Sequence, residues 1–290
     1  MRSNARKILL LFLSSWDRLV LEVVNGVEGL RVGLLQLDVY HGNPVRNQRK
    51  AFERIERAAR SGPRVLLLPE LWNATCPLTS SKSLLDERDV FFDSLRSVAI
   101  RYGTWIITGS MAVSTSRGNR NRCNIFAPDG GKEIVYDKVH LYPGLKEPNL
   151  LEPGSSLGVF EIDGVICGVM ICFDMEFPEI SRALVSRGAW VFFVPGAWKG
   201  RYIRLWRTLL VARAIENQVF VVGVNRCDQG KEVSFGGQSM VVDPYGDVML
   251  HMDQRPGYEE VLLDLGLVEK ARKEHSVLSS RRPEVYRRWF

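Results

Sequence analysis

The sequence predicts a mixed α/β fold built as one large domain. Three features point there: a β-α-β unit early in the chain, an antiparallel hairpin in the middle, and a strand–proline–tryptophan pattern that occurs twice. At 290 residues and 46% hydrophobic, the chain is long enough to bury one substantial core.

Residues 1–29 read as an accessory N-terminal extension without chemistry. The apolar stretch ILLLFL stops at SSWDR, shorter than a signal peptide's apolar region, and no small-residue cleavage site follows. From Leu30 the pattern becomes regular, and a domain over 30–290 is expected. RVGLLQLDV alternates. NPVRNQRKAFERIERAARSG then carries Val45, Ala51, Ile55, Ala58 and Ala59 at helical spacing and stops at Gly62. VLLLPE is a short buried strand broken by Pro69, which completes the β-α-β unit and implies parallel strands covered by a helix.

A helix over 87–102 leads to WIITGSMAV, and NRCNIFAPDGGKEIVYDKVH reads as two strands around an Asp-Gly-Gly turn. The later half continues with GVICGVMIC, a helix over 177–187, WVFFVPGAW, a helix over 203–216, VFVVGVN and the strand pair SFGGQSMVVDP and GDVMLHM. The stretches GPRVLLLPELW (62–72) and GAWVFFVPGAW (188–198) share glycine, strand, proline and tryptophan positions, which suggests two related halves. The match fails where Glu70 stands opposite Gly196, so strand packing alone does not require that carboxylate.

Composition narrows the function classes. The net charge of +6 is spread out and peaks in the tail RRPEVYRRWF, the pattern of a solvated basic surface and not of a nucleic-acid module. No apolar run approaches the length of a membrane span. Cysteines at 76, 123, 167, 172 and 227 form no CxxC pair and are odd in number, which predicts free thiols in a reducing, cytoplasmic setting. His41, His140, His251 and His275 show no ligand spacing, so no metal is expected. Only His140 lies in a segment that otherwise reads as functional.

Three residues end, or just follow, apolar strands: Glu70 in VLLLPELW, Lys138 in YDKVHLYP and Cys172 in GVMICFDMEFPE. Strand ends from distant segments converge in α/β folds. Taken singly, Glu70 also fits a solvated capping carboxylate, Lys138 an exposed strand lysine and Cys172 a small buried hydrophobe, as Cys167 does better. Together they form a chemically complete set. A cation lowers the thiol pKa, a carboxylate takes its proton, and the cation with a backbone N–H receives the oxyanion formed on a carbonyl.

PELW, DKVHLYPG and CFDMEFPE, in this order, resemble the nitrilase or carbon–nitrogen hydrolase superfamily, as do LEPGSS, RAIENQVFVVGVN and GGQSMVVDPYGDV. The resemblance covers residues 30–290. It implies a four-layer α-β-β-α sandwich of two mixed sheets, no cofactor, and a homodimer or higher oligomer with the tail 266–290 at a subunit interface. It further implies Cys172 as nucleophile, Glu70 as general base and acid, and Lys138 with the Phe173 N–H as oxyanion donors. A second glutamate after the lysine motif is expected at Glu147, with Glu152 as the alternative.

The C-terminal half looks most like the ω-amidase branch, which implies a small-molecule amide substrate and no nucleic-acid or membrane partner. Phe173-Asp174 replaces the Trp-Glu usual in true nitrilases. Glu176 stands where ω-amidase-like members commonly carry an arginine, and a carboxylate there repels an anionic substrate or attracts a cationic one. N-carbamoyl amines, aliphatic amides, nitriles, acyl transfer and a non-catalytic role are the alternatives. Trp72, Tyr142, Glu176 and Trp198 are the expected pocket walls.

Overall fold

The computed structural model describes residues 29–74, 78, 84–131, 133–230 and 233–289. The extension expected over 1–29 therefore lies outside the described residues, except that Gly29 already opens the first strand. In chain order the main elements are β1 (Gly29–Gln36), α1 (Pro44–Ala59), β2 (Val65–Leu67), β3 (Leu85–Asp86), α2 (Val90–Tyr102), β4 (Trp105–Ile107), β5 (Met111–Thr115), β6 (Gly118–Phe126) and β7 (Ile134–Asp137). The second half holds β8 (Gly158–Ile162), β9 (Val165–Val169), α3 (Pro178–Ser186), β10 (Val191–Gly196), α4 (Ile203–Asn217), β11 (Phe220–Asn225), β12 (Met240–Val242), β13 (Val248–His251), β14 (Gly257–Asp264), α5 (Gly266–Glu274) and α6 (Pro283–Tyr286).

The strands form two mixed sheets. One runs β14-β1-β2-β4-β6-β5-β3 with β7 added alongside β6, and the other runs β13-β12-β11-β10-β9-β8. Alternation along β1 and β2 sorts their side chains between two cores. Val32, Leu34, Val65 and Leu67 face inward with Phe160, Val169 and Phe193 of the second sheet. Leu35, Leu66 and Leu68 face outward against Ala51, Ile55 and Ala58 of α1 and Phe92 and Leu95 of α2. On the second sheet Leu184 of α3 and Trp206, Leu210 and Ala214 of α4 fill the other side. The order of layers is α-β-β-α, as expected.

Two differences from the sequence reading matter. WIITGSMAV is not one strand: it breaks at Gly109, whose φ is +69°, and a Cβ there would stand 2.0 Å from the Pro69 carbonyl oxygen. Only glycine allows that approach, and it lets the Ser110 N–H reach Pro69 O at 3.1 Å while the Leu71 N–H donates to Ser110 Oγ at 3.2 Å. The break thus braces the turn that carries Glu70. The second difference is at the C-terminal end, where β14 pairs antiparallel with β1 from Gly29↔Asp264 to Gln36↔Gly257. Beyond it α5 buries Val268 and Ala271 in the chain's own core.

The two echoing stretches supply β2 and β10, each inside its own sheet, and the Glu70 N–H donates to Gly196 O at 3.2 Å. The Glu70–Gly196 mismatch of the echo is therefore where the two halves meet. Among the described residues no helix is long and apolar enough to cross a membrane.

Candidate active site

Glu70, Lys138 and Glu147 converge from three separate segments into one buried cluster. Glu70 follows β2 and Lys138 follows β7, while Glu147 opens a short 3-10 turn over Glu147–Asn149. Lys138 Nζ donates to Glu70 Oε1 at 2.7 Å and to Glu147 Oε1 and Oε2 at 3.1 and 2.9 Å. Asn121 of β6 bridges the same carboxylates, donating through Nδ2 to Glu70 Oε1 at 2.9 Å and Glu147 Oε1 at 3.0 Å. The Tyr142 N–H holds Glu147 Oε2 at 2.6 Å. All three ionisable side chains are withdrawn from solvent. Burial works against the Lys138 ammonium, but Glu147 and Glu70 together outweigh it and hold the lysine pKa well above its ordinary value. Burial raises the Glu147 carboxyl to about 7, against the pull of Lys138.

Glu152, the alternative second glutamate, is 62% exposed and pairs with Arg120 at 2.9 Å; it stands away from the cluster. The structure therefore brings Glu147, and not Glu152, to Lys138.

Cys172 lies just past β9 at the start of a 3-10 turn over Cys172–Glu176. Its φ is +50°, a left-handed conformation that costs a non-glycine residue on the order of 1 kcal/mol. Asp174 holds that turn in place. Its carboxylate accepts from the Ile171 N–H at 3.0 Å, the Tyr136 hydroxyl at 2.7 Å and the His140 N–H at 2.8 Å. His140 Nδ1 also lies 3.0 Å from it, and the imidazole stacks on Phe177 at 3.6 Å. His140 is thus a brace under the turn and not a partner of the thiol.

The thiol corrects one sequence expectation. Burial pushes the Cys172 pKa well up, the neighbouring Glu70 carboxylate pushes it further, and Lys138 only partly offsets them. These surroundings favour the neutral thiol beside a carboxylate over a thiolate held by lysine. Glu70 Oε1 is occupied by Lys138 and Asn121, whereas Glu70 Oε2 is buried with no hydrogen-bond partner.

Cys172 opens onto a cavity of about 250 Å³ lined by Tyr142, Phe173, Glu176, Trp198, Lys199 and Tyr202, with Ala197 and Leu205. Tyr142, Glu176 and Trp198 stand where the sequence reading expected pocket walls. Trp72 does not: its indole N–H donates to Thr108 O at 2.7 Å and its ring packs 5.8 Å from Phe91. Trp72 faces the outer core under α2 because the φ of +48° at Leu71 turns the chain after Glu70. Sequence reasoning missed Asn121, Asp174, Lys199 and Tyr202. Asn121 had little signal, because β6 reads GNRNRCNIF and buries a second asparagine, Asn124, as well. Lys199 and Tyr202 had none, because KGRY reads as an ordinary polar loop. Among the described residues no three His, Cys, Asp or Glu side chains group to hold a metal ion.

The fold and this acid–base cluster beside a buried thiol define a class of hydrolase, and comparison with known proteins identifies it. Residues 31–273 match the carbon-nitrogen hydrolase family. The 2-oxoglutaramate amidase of Bacillus subtilis is 34% identical over 256 residues, spanning 88% of this chain and 98% of that protein. A carbon–nitrogen hydrolase superfamily protein of Xanthomonas campestris, solved with an arsenic adduct in its active site, superposes with a TM-score of 0.81 at 25% identity, covering 88% of this chain and 98% of that one. A variant of the amidase from Nesterenkonia sp. AN1, solved with the acetamide moiety of fluoroacetamide covalently added at the active-site cysteine, superposes with a TM-score of 0.77 at 27% identity, covering 90% and 97%. The chain belongs to the carbon–nitrogen hydrolase family.

Proposed function

We propose that the protein is an amidase of the ω-amidase kind, which hydrolyses the terminal amide of a small molecule through a thioester on Cys172 and releases ammonia and a carboxylic acid. The observation that carries this reading is the Glu70 carboxylate, with one oxygen fixed by Lys138 and Asn121 and the other buried and unpaired beside a neutral thiol. The 2-oxoglutaramate amidase relative and the covalent adduct on the cysteine of the Nesterenkonia amidase support it.

Glu70 takes the Cys172 proton as the sulfur attacks the amide carbon. The oxyanion that forms is received by the Lys138 ammonium and the Phe173 N–H. Glu70 returns the proton to the leaving nitrogen, the carbon–nitrogen bond breaks, and the acyl group stays on sulfur. Water then enters, Glu70 removes its proton, and the hydroxide displaces the sulfur to give the acid. Glu147 holds the lysine between the two carboxylates, so that its ammonium stays charged without closing on Cys172. No step calls for a cofactor.

A cytoplasmic location accords with Cys123, Cys167, Cys172 and Cys227 being free thiols, and the residues after α5 remain available to a second copy in a homodimer. An ammonia-release screen over ω-monoamides, N-carbamoyl amines, aliphatic amides and nitriles tests the function. Ammonia from amides, lost in Cys172→Ala, is the expected result; turnover of nitriles alone, or undiminished turnover in the variant, overturns it.

A further inference from the structure

We propose that Glu176 sets the charge preference of this pocket, selecting amides that carry an ammonium group on the part of the molecule away from the scissile carbonyl. The inference rests on the amidase reading above and departs from the ω-amidase branch at one point, the charge of the substrate that the same site takes.

Glu176 lines the cavity together with Cys172, at the far end of the 3-10 turn that Cys172 opens. It is only partly exposed. Other carboxylates around the site have partners: Asp174 takes donors from three residues, and Glu70 and Glu147 share Lys138. Glu176 makes no hydrogen bond or ion pair with any described residue, and burial is the cause that raises its pKa. A half-buried carboxylate without a counter-charge is stabilised by whatever cation enters beside it.

The rest of the wall suits the same guest. Tyr142, Phe173, Trp198 and Tyr202 surround the cavity, with Tyr142 and Phe173 packed at 5.1 Å. Aromatic faces attract an ammonium group and remain indifferent or unfavourable to a carboxylate. Lys199 lines the cavity and Arg201 lies beside the lining residue Tyr202, and both are engaged. Lys199 Nζ donates to Gly144 O at 3.1 Å and lies 5.9 Å from the Tyr142 ring centre, and the Arg201 guanidinium stands 4.7 Å from the ring centre of Tyr202. Beneath the thiol, two carboxyl groups share one ammonium, so the floor adds no net positive charge.

Three amides of matched length test this: 5-aminopentanamide (cationic), hexanamide (neutral) and glutaramate (anionic), each assayed for ammonia release with the wild-type protein, Glu176→Gln, Glu176→Asp and Glu176→Arg. The wild-type kcat/KM is expected to be about tenfold higher for the cationic amide than for the neutral one, the size of one close charge pair in a partly solvated site, with glutaramate the poorest. The cationic-to-neutral ratio falls towards unity in Glu176→Gln through KM, persists in Glu176→Asp, and inverts in favour of glutaramate in Glu176→Arg. A wild-type preference for glutaramate, or ratios that Glu176→Gln leaves unchanged, overturns the inference while leaving the amidase reading intact. Absence of ammonia from all three overturns both.

Discussion

Cys167 and Cys172 share one short segment and equally dry surroundings, at 0% and 5% exposure, yet only one stands in a reactive setting. Burial pushes both thiols up. Cys167 sits inside β9 on regular backbone, its thiol against Val165 O at 3.4 Å. Cys172 has left the strand, adopts φ +50°, opens onto the cavity and feels the charges of Glu70 and Lys138. Desolvation therefore does not distinguish the two thiols. Backbone strain and a paired acid–base set do.

The sharpest way to break the comparison is Cys172→Ala, which should lower amide turnover by about 10⁴-fold or more while thermal unfolding shifts by only a few degrees. Retained turnover would make the two cysteines equivalent. Glu70→Gln separates chemistry from thiol acidity. Turnover should fall about 10²- to 10⁴-fold with loss of the base, yet the Cys172 pKa should drop, because the carboxylate that raises it is gone and Lys138 remains. Iodoacetamide labelling should follow that sign: slow near pH 7 and rising steeply towards alkaline pH in the wild type, faster near pH 7 in the variant.

Lys138→Ala leaves Glu70 and Glu147 buried together without their shared cation. Denaturant melts should show a loss of about 3–5 kcal/mol near neutral pH, partly recovered in acid as the carboxyls take up protons; an unchanged midpoint would mean that the cluster is not held by charge. The smallest effect is expected for Cys167→Ala, about 1–2 kcal/mol of stability for the small cavity it leaves, with turnover unaltered.

The layers, most of the helices and strands, and the pairing of Glu70 and Glu147 with Lys138 were legible in the sequence because period and strand-end position are local signals. Gly109 shows where they stop. Nothing in WIITGSMAV announces that a Cβ on its glycine would stand 2.0 Å from the Pro69 carbonyl oxygen. Trp72 was misplaced for a related reason: a strand-end tryptophan predicts a wall, but the positive φ at Leu71 sends it to the opposite face. The state of the Cys172 thiol was also beyond sequence, since it depends on the balance among burial, Glu70 and Lys138. Asp174, two residues after Cys172 in CFDMEFPE, looks like any surface acid until its carboxylate is seen to gather Tyr136, His140 and Ile171.

Peptide-resolved mass spectrometry of the protein quenched in acid during turnover of an amide tests the central claim most directly. An acyl group on the Cys172 peptide, absent from the Cys167 side chain and lost on treatment with hydroxylamine, is the result expected of a thioester. Steady turnover with the acyl mass on Cys167, or ammonia release from a protein whose Cys172 is permanently blocked, would contradict it.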